Sequence, residues 1–329
     1  MTKIKNLMLG ILAVSLLMTA CTKEVTVNES LVLAEYLESA NSPLMKDYVN
    51  TDLPSIMLAS EVKTLNETGH VYIMDVRAAA DFALGHIANA HNVAVADVLT
   101  HIKAVDLTAY TKVAVVCYTG QTAGFAASLL RIMGYDKVFT MKWGMCSWNA
   151  DFAGKWKATV TSGNAFASQF TATETAKNVA GELPVLSTGK TTGQEILEAR
   201  VATLLIEGFV PASVTTKTVV DNASTYYIVN YWPAAQYAAP GHLPGAVQYE
   251  PKVAIKLATD LKTLPTNKPI AIYCYSGQTS AFLSAHLRLL GYDAKSVLYG
   301  ANGMIYDLMV TNKMTTFNDA QIMGYEYVK

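Results

Sequence analysis

Apolar and polar residues along the chain predict short buried strands that alternate with amphipathic helices. Val71–Val76 and Lys112–Val116 are runs rich in β-branched residues, a composition typical of buried strands. From Gln121 onward, apolar residues recur at i, i+3, i+4 and i+7, which predicts a helix with one buried side, and Gly134 ends it. Val138–Met141 is a third predicted strand. This alternation indicates an α/β fold with a parallel sheet that carries helices on both faces.

The same order of elements is predicted a second time. The pattern predicts three more strands, at 226–230, 270–273 and 296–299, and a helix at 278–290. Residues 117–136 (CYTGQTAGFAASLLRIMGYD) and 274–293 (CYSGQTSAFLSAHLRLLGYD) are identical at 11 of 20 positions without a gap. The offset of 157 residues is the length of a domain rather than of a solenoid repeat. The chain therefore contains two copies of one domain.

Composition changes divide the chain further. Residues 155–193 are rich in Thr, Ala, Ser, Gly and Asn and show no clear period, which is typical of a connection between domains. The predicted organisation is a signal peptide (1–20), a tether with a helical lead-in (21–52), a first domain (53–154), a linker (155–193) and a second domain (194–329).

The first twenty residues differ in kind from the rest. Lys3 and Lys5 precede an apolar run, Leu7–Met18, that is too short to span a bilayer comfortably, and small residues follow it. This pattern predicts an export signal, and Met18-Thr19-Ala20-Cys21 resembles the lipobox of bacterial lipoproteins, in which the cysteine becomes the acylated first residue. The resemblance implies a lipid anchor at Cys21 that holds the protein to a membrane of the bacterial cell envelope, facing the periplasm or the exterior. An ordinary secretory peptide with an incidental cysteine is the alternative.

Net charge and cysteine content limit the classes of function that the chain can have. Removal of residues 1–20 would change the formal net charge from −1 to −3, which gives no basic footprint for nucleic acid. If Cys21 carries lipid, three cysteines remain, and an odd number cannot all pair within one chain: Cys117, Cys146 and Cys274. No histidine and cysteine pair has ligand spacing, so neither a metal site nor a cofactor is predicted.

Cys117 and Cys274 each stand where a predicted strand turns into a helix. The free N–H groups of a first helical turn gather there and favour an anion. The sequence therefore predicts that these thiols have a lowered pKa and act as nucleophiles. The residues predicted to surround a bound anion follow each cysteine: Tyr118, Thr119, Gly120, Gln121 and Thr122 in the first loop and Tyr275, Ser276, Gly277, Gln278 and Thr279 in the second.

These residues resemble the six-residue active loops of tandem-domain rhodaneses, which are sulfurtransferases. Cys-x-x-Gly-x-Thr occurs at 117–122 and 274–279, and the first domain also has Asp75-x-Arg77 and the segment Asp81-Phe82-x-x-Gly85-His86-Ile87. Gly134-Tyr135, Val138 and Gly144…Trp148 match the family's closing segment, so the resemblance covers about 53–154 and 194–310.

The resemblance implies that a cysteine takes sulfane sulfur from a small, thiosulfate-like donor as a persulfide. The persulfide then passes the sulfur to a thiophilic acceptor such as a thiol or cyanide. Asp75, Arg77 and His86 are expected to support the loop without taking part in the chemistry, together with Asp81.

Two departures limit what the resemblance implies. Asn230-Tyr231-Trp232 stands in the second domain where the first has Asp75-Val76-Arg77, so the first domain is expected to carry most of the activity. Neither loop contains a lysine or arginine, so the sequence does not specify the donor. Cys146 is a candidate resolving thiol for Cys117, although a semi-buried spectator is the simpler interpretation.

The loop residues also bear on other classes of function. A cysteine phosphatase needs an arginine to clamp phosphoryl oxygens, and Thr122 and Thr279 end the two loops instead. A non-catalytic, membrane-anchored carrier or binding module for sulfur or selenium, serving a redox protein partner, remains an alternative, as does an adaptor in which only the fold matters. Turnover with a small donor and cyanide separates the enzyme from the carrier.

Overall fold

The computed structural model describes residues 27–329. A lead-in of two helices precedes the first sheet: α1 Glu29–Glu38 and α2 Tyr48–Thr51. The first domain then follows, with these elements: β1 Ile56–Met57, α3 Ala59–Glu67, β2 Val71–Asp75, α4 Ala79–Leu84, β3 Ala90–Asn92, α5 Val98–Lys103, β4 Lys112–Val116, α6 Gln121–Ile132, β5 Val138–Met141, α7 Met145–Trp148 and α8 Gly154–Thr161.

The second domain follows a mostly irregular connection and repeats the order of strands, with a 3-10 helix, Leu261–Thr263, where the first domain has α5. Its elements are α9 Gly193–Glu207, β6 Ser213–Val214, α10 Thr216–Asp221, β7 Tyr227–Asn230, α11 Ala234–Ala238, β8 Val247–Gln248, β9 Ile270–Tyr273, α12 Gln278–Leu289, β10 Ala294–Val297 and α13 Tyr306–Thr311. The two sheets have equivalent strand orders, β1-β5-β4-β2-β3 and β6-β10-β9-β7-β8, and every strand pairing is parallel. The α/β architecture with two tandem domains is therefore confirmed.

The strands lie close to their predicted positions because their apolar residues are buried. Lys112–Val116 and Ile270–Tyr273 are found as predicted. The strand predicted at 296–299 lies at Ala294–Val297, since Ala294 pairs with Ile270 and Tyr299 adopts a left-handed φ of 63° that turns the chain. The connection is more regular than its composition indicates. It includes most of helix α8, which is fixed by the buried side chain of Trp156, and a short 3-10 helix at Ala167–Gln169.

Helices α6 and α12 pack against each other and join the two domains. Ser128 Oγ on α6 donates to the Phe282 carbonyl oxygen on α12 over 2.9 Å. A Cβ atom at Gly124 would lie 3.2 Å from the Gln278 carbonyl oxygen, so the small residue permits this close approach. Because each helix begins at a cysteine loop, the packing also brings both loops to the domain interface.

The ends of the described chain cross over to the opposite domain. The Glu29 carboxylate accepts N–H groups from Thr188 and Gly189, which lie just before the second domain. Near the other end, Val328 exchanges two backbone hydrogen bonds with His86 of the first domain. Residues 318–329, which the sequence pattern groups with the second domain, thus contact the first. Between residues 27 and 329, no helix is both long and apolar enough to cross a membrane.

Candidate functional site

Cys117 lies at the carboxyl end of β4, where the chain turns into α6. Gly120 caps that helix with a left-handed φ of 86°, which most side chains disfavour. The turn directs two backbone N–H groups at the Cys117 Sγ atom, from Gly120 at 3.2 Å and from Ala123 at 3.4 Å. The predicted ring of amides around the sulfur is therefore present.

The predicted lowering of the thiol pKa is wrong for this conformation. The pKa of the Cys117 thiol lies above its ordinary value: burial, the largest cause, raises it, and the N–H groups of Ala123, Thr119 and Gly120 lower it. The nearby charge of Asp75 raises the pKa further. The physical reason is desolvation: only 4% of the residue is exposed, and neutral amide dipoles replace only part of the hydration that a thiolate loses.

Gly144 forms the surface on which the Cys117 loop rests. A Cβ atom there would lie 2.3 Å from the Cys117 carbonyl oxygen and 2.6 Å from the Gly120 nitrogen. The following backbone N–H groups, of Met145 and Cys146, donate to the carbonyl oxygens of Cys117 and Tyr118. The sequence pattern marks Gly144 only as a family match, whereas the structure shows that the loop needs a residue without a side chain there.

A buried ion pair supports the loop from the neighbouring strand. Arg77 donates from Nε and Nη2 to the Asp75 carboxylate, with an Nη2–Oδ2 distance of 2.6 Å, and from Nη2 to the Gly85 carbonyl oxygen. Burial lowers the pKa of Arg77, but its bonds to Asp75 and the charge of Asp75 outweigh this, so the pKa lies above its ordinary value. The guanidinium lies 5.1 Å from the Tyr118 ring centroid, and the Tyr118 hydroxyl donates to Asp81.

His86 lies beside this network and does not face the sulfur. Its Nδ1 atom is 3.0 Å from the Phe82 carbonyl oxygen, and its ring stacks on the Phe82 ring. His242 occupies the equivalent place in the second domain and stacks on Tyr237. These contacts fix a turn, and among residues 27–329 no three His, Cys, Asp or Glu side chains form a metal-binding cluster.

An open cavity of about 480 Å³ lies above Cys117 and is shared by both domains. Arg77, Asp81 and the loop residues line one side: Tyr118, Thr119, Gln121 and Thr122. The second domain contributes an apolar wall that includes Phe209, Val210 and Leu298. A pocket of this size accommodates a small organic molecule.

Lys155 also lines the cavity, and the sequence analysis did not identify it. It is an exposed residue of α8, and its Nζ atom lies 4.3 Å from the Tyr118 ring centroid. The loop sequences do not indicate this cation, because Lys155 lies on helix α8, well beyond the Cys117 loop in the chain. The site therefore has a cation at its edge although the loop has none.

Cys274 lies at the equivalent turn, but one backbone N–H group reaches its sulfur instead of two, and its neighbours differ. Its sulfur accepts the Ser280 N–H at 3.3 Å and lies 3.5 Å from Ser280 Oγ, which in turn contacts Ser296 Oγ at 2.7 Å. Only 1% of Cys274 is exposed. Of its loop residues, Ser276 Oγ accepts the Gln278 N–H, and Tyr275 and Thr279 are half-buried.

Uncharged side chains replace the ion pair of the first domain. Asn230 donates to the Tyr273 hydroxyl over 2.9 Å. Trp232, which stands where Arg77 does, is fully buried and stacks on Tyr275 with ring centroids 5.4 Å apart. The Tyr275 hydroxyl donates to Gln236, which takes the place of Asp81.

Cys146 is fully buried beside an aromatic cluster and has no disulfide partner. Its sulfur lies 3.1 Å from the Phe152 carbonyl oxygen, and burial raises the pKa of its thiol to about 12. All three described cysteines are free. These surroundings oppose a resolving role, which requires an accessible thiolate. Cys21 lies outside the described residues.

The two loop glutamines each reach across the domain interface. Gln121 accepts the Tyr299 N–H of the second domain over 2.8 Å. Gln278 accepts the Trp143 N–H of the first domain over 2.9 Å. Each glutamine also lies against the other loop's glycine, Gln278 against Gly120 and Gln121 against Gly277. The loops are thus in direct contact.

Comparisons with protein families and with known proteins both find similarity to rhodanese-like proteins. The model of the rhodanese-like domain family matches residues 58–151 and 217–304. A thiosulfate sulfurtransferase, GlpE of Pseudomonas fluorescens (strain SBW25), is 32% identical over 102 residues, which cover 31% of this chain and 87% of that protein. GlpE of Pseudomonas aeruginosa is 31% identical over 90 residues, which cover 27% of this chain and 79% of that protein.

Solved structures of similar chains were also compared. One of them is Escherichia coli SseA, whose structure is described with the fold and mechanism of 3-mercaptopyruvate sulfotransferases. SseA is 17% identical to this chain, and the alignment covers 76% of this chain and 98% of SseA with a TM-score of 0.27. A rhodanese-related protein from Thermoplasma volcanium is 22% identical and aligns with 29% of this chain and 89% of its own, with a TM-score of 0.26.

Proposed function

The chain belongs to the rhodanese-like domain family, and on that premise we propose that it is a sulfurtransferase in which Cys117 carries the transferred sulfur as a persulfide. The observation that carries this proposal is the position of Cys117. Its sulfur lies at the base of an open cavity and accepts two backbone N–H groups. A nucleophile with donors already aimed at it and with access for a substrate is the arrangement that group transfer requires.

The reaction has two balanced steps. In the first, the Cys117 thiolate attacks the outer sulfur of a small donor such as thiosulfate; the new S–S bond forms as the donor's S–S bond breaks, and the leaving group (sulfite for thiosulfate) takes the electron pair. In the second, a thiolate or cyanide attacks the terminal sulfur of the persulfide, and Cys117 leaves as a thiolate. No external oxidant or reductant is consumed.

Proton transfer must precede the first step. Because burial raises the pKa of Cys117, the resting thiol is largely protonated at neutral pH, and its proton leaves to solvent through the cavity. The N–H groups of Gly120 and Ala123 then stabilise the anion that forms. Lys155 lines the cavity and favours a negatively charged donor, whereas the charge of Arg77 is already paired with Asp75.

Mass spectrometry and turnover test this function together. The purified region 27–329 is incubated with thiosulfate, and the peptide containing Cys117 is expected to gain the mass of one sulfur atom. Addition of cyanide should remove that sulfur and yield thiocyanate over many cycles. A stable adduct without turnover would instead support the carrier, and no adduct on Cys117 would contradict the proposal.

We also propose that Cys21 is acylated and that the protein is attached to a membrane of the cell envelope, as its lipobox-like segment supports. Labelled palmitate should enter the full chain in a bacterial host. Cys21→Ala should abolish the label and release the protein from membranes. Continued labelling of C21A would contradict this.

A further inference from the structure

We propose that Gln278, a residue of the second domain's loop, is a positioning residue for the Cys117 loop of the first domain. This inference rests on the proposed function and adds to it. The first domain's site would then be complete only when the second domain is docked. The sulfur chemistry stays at Cys117, and Gln278 acts on it through the backbone.

The Gln278 side chain makes three bonds to the first domain from a position that is 1% exposed. Its Oε1 atom accepts the Trp143 N–H at 2.9 Å. Its Nε2 atom donates to the carbonyl oxygens of Gly120 at 3.4 Å and of Met141 at 3.3 Å. An amide is the side chain that matches this set, because it presents one acceptor to an N–H and two donors to two carbonyls.

These partners are the backbone groups that shape the Cys117 loop. Gly120 directs its own N–H at the Cys117 sulfur. Trp143 adopts a left-handed φ of 64°, a strained conformation for a residue with a side chain, and leads into Gly144, on which the loop rests. Gln278 therefore holds both the loop and the turn beneath it.

The reciprocal contact shows that the arrangement is a repeated feature of the interface. Gln121 Oε1 accepts the N–H of Tyr299, which has a left-handed φ of 63° and precedes Gly300 as Trp143 precedes Gly144. Its own amide nitrogen, however, donates within its loop, to Thr119 Oγ1. Of the two glutamines, only Gln278 donates a hydrogen bond to the opposite loop. The contacts between the loops therefore hold the first domain's loop more firmly than the second domain's loop.

Loss of this support should slow the chemical step more than binding. The donors around the sulfur stabilise charge only while they point at it, and a displacement of about 1 Å can reduce a rate on the order of 100-fold. Lys155, which favours an anionic donor, is not among the hydrogen-bond partners of the Gln278 side chain. We therefore expect Gln278→Ala to lower kcat between about 10- and 100-fold and to leave the donor KM within about 2-fold.

Ser128→Ala provides the matched control. It removes another buried hydrogen bond between α6 and α12 without touching either loop. Its kcat should stay within about 2-fold of wild type. An equal loss in S128A and Q278A would assign the effect to general loosening of the interface and overturn the proposal, as would wild-type kcat in Q278A.

A second variant tests the direction of the hydrogen bonds. Gln278→Glu keeps the shape and the acceptor for Trp143, but its ionised carboxylate cannot donate to the Gly120 carbonyl oxygen. When protonated it can donate there once. The kcat of Q278E relative to wild type should therefore increase as the pH falls from about 8 to about 6, since burial raises the pKa of a carboxyl group. A pH-independent ratio would contradict the inference even if Q278A fails to fold.

Hydrogen exchange separates failure of this inference from failure of the proposed function. Amide exchange in the peptide 117–124 should accelerate in Q278A and stay unchanged in S128A, whether or not the protein transfers sulfur. If wild type forms no persulfide but exchange changes as expected, the function is wrong and the positioning is right. Unchanged exchange in Q278A overturns the positioning itself.

Discussion

The two domains share a fold and nearly the same loop sequence, yet they surround their cysteines in different ways. Cys117 faces an open cavity and lies above a buried Asp75–Arg77 ion pair. Cys274 is followed by Tyr275, whose ring stacks on Trp232, and its thiol has a Ser280 hydroxyl beside it. Nearly identical loop sequences therefore stand in different surroundings, charged beside Cys117 and uncharged beside Cys274.

The residues that flank the two loops also differ in how they are hydrogen-bonded. The Asp75 carboxylate accepts hydrogen bonds from Arg77 on both of its oxygens, whereas the equivalent Asn230 donates one, to the Tyr273 hydroxyl. Both flanks also contain buried atoms that have no hydrogen-bond partner among residues 27–329: Arg77 Nη1 in the first domain, and Asn230 Oδ1 and Trp232 Nε1 in the second. Buried polar atoms are normally paired, so neither flank is fully satisfied, and the clearer difference between them is the ion pair.

The largest expected effect is a difference between the two cysteines. Cys117→Ser should reduce sulfurtransferase turnover on the order of 1,000-fold or more, because a hydroxyl cannot carry sulfane sulfur. Cys274→Ser should retain a substantial part of the activity, within about 3-fold of wild type. Initial rates of thiocyanate formation measure both, with the double mutant as reference. The opposite ranking would make the second domain the catalyst.

The ion pair is expected to matter for stability. Arg77→Met leaves the Asp75 carboxylate buried without its partner, which should lower the free energy of unfolding by about 3–5 kcal/mol. Lys63→Met is the control, since it breaks an exposed pair with Glu67 and should change that free energy by less than about 1 kcal/mol. Urea denaturation followed by circular dichroism measures both variants. Equal effects would mean that Asp75 is solvated or protonated when unpaired.

Much of the fold could be predicted from local sequence, because buried strands and amphipathic helices leave a short-range pattern. Val138–Met141 and the start of α6 at Gln121 are examples. Lys155 and Gln278 could not be placed at Cys117 in this way, since they arrive from a later helix and from the other domain. The pKa of Cys117 also escaped prediction, because the loop pattern shows the amide donors but not the depth of burial.

Lys155 tests whether the cavity selects its donor by charge. Lys155→Met should raise the KM for thiosulfate roughly 5- to 10-fold and leave kcat nearly unchanged, since the lysine lines the cavity without contacting the sulfur's amide donors. Lys157→Met, on the same helix, removes a lysine that pairs with exposed Asp319 and should have no such effect. An unchanged KM in K155M would show that anionic donors bind elsewhere in the cavity.

The smallest expected effect is a shift in the pH at which Cys117 becomes reactive. Burial raises the pKa of this thiol above its ordinary value, so the thiolate fraction at pH 7 should be lower than in a free cysteine peptide. The alkylation rate of Cys117 should therefore continue to increase at pH values where the alkylation rate of the peptide has reached its plateau. The midpoint of the iodoacetamide rate against pH is the measurement, since a midpoint does not depend on how easily the reagent enters the cavity. Mass spectrometry of the Cys117 peptide separates its signal from those of Cys146 and Cys274. A midpoint at or below that of the free peptide would mean that the N–H groups of Gly120 and Ala123 outweigh desolvation, and the first domain would then hold a preformed thiolate.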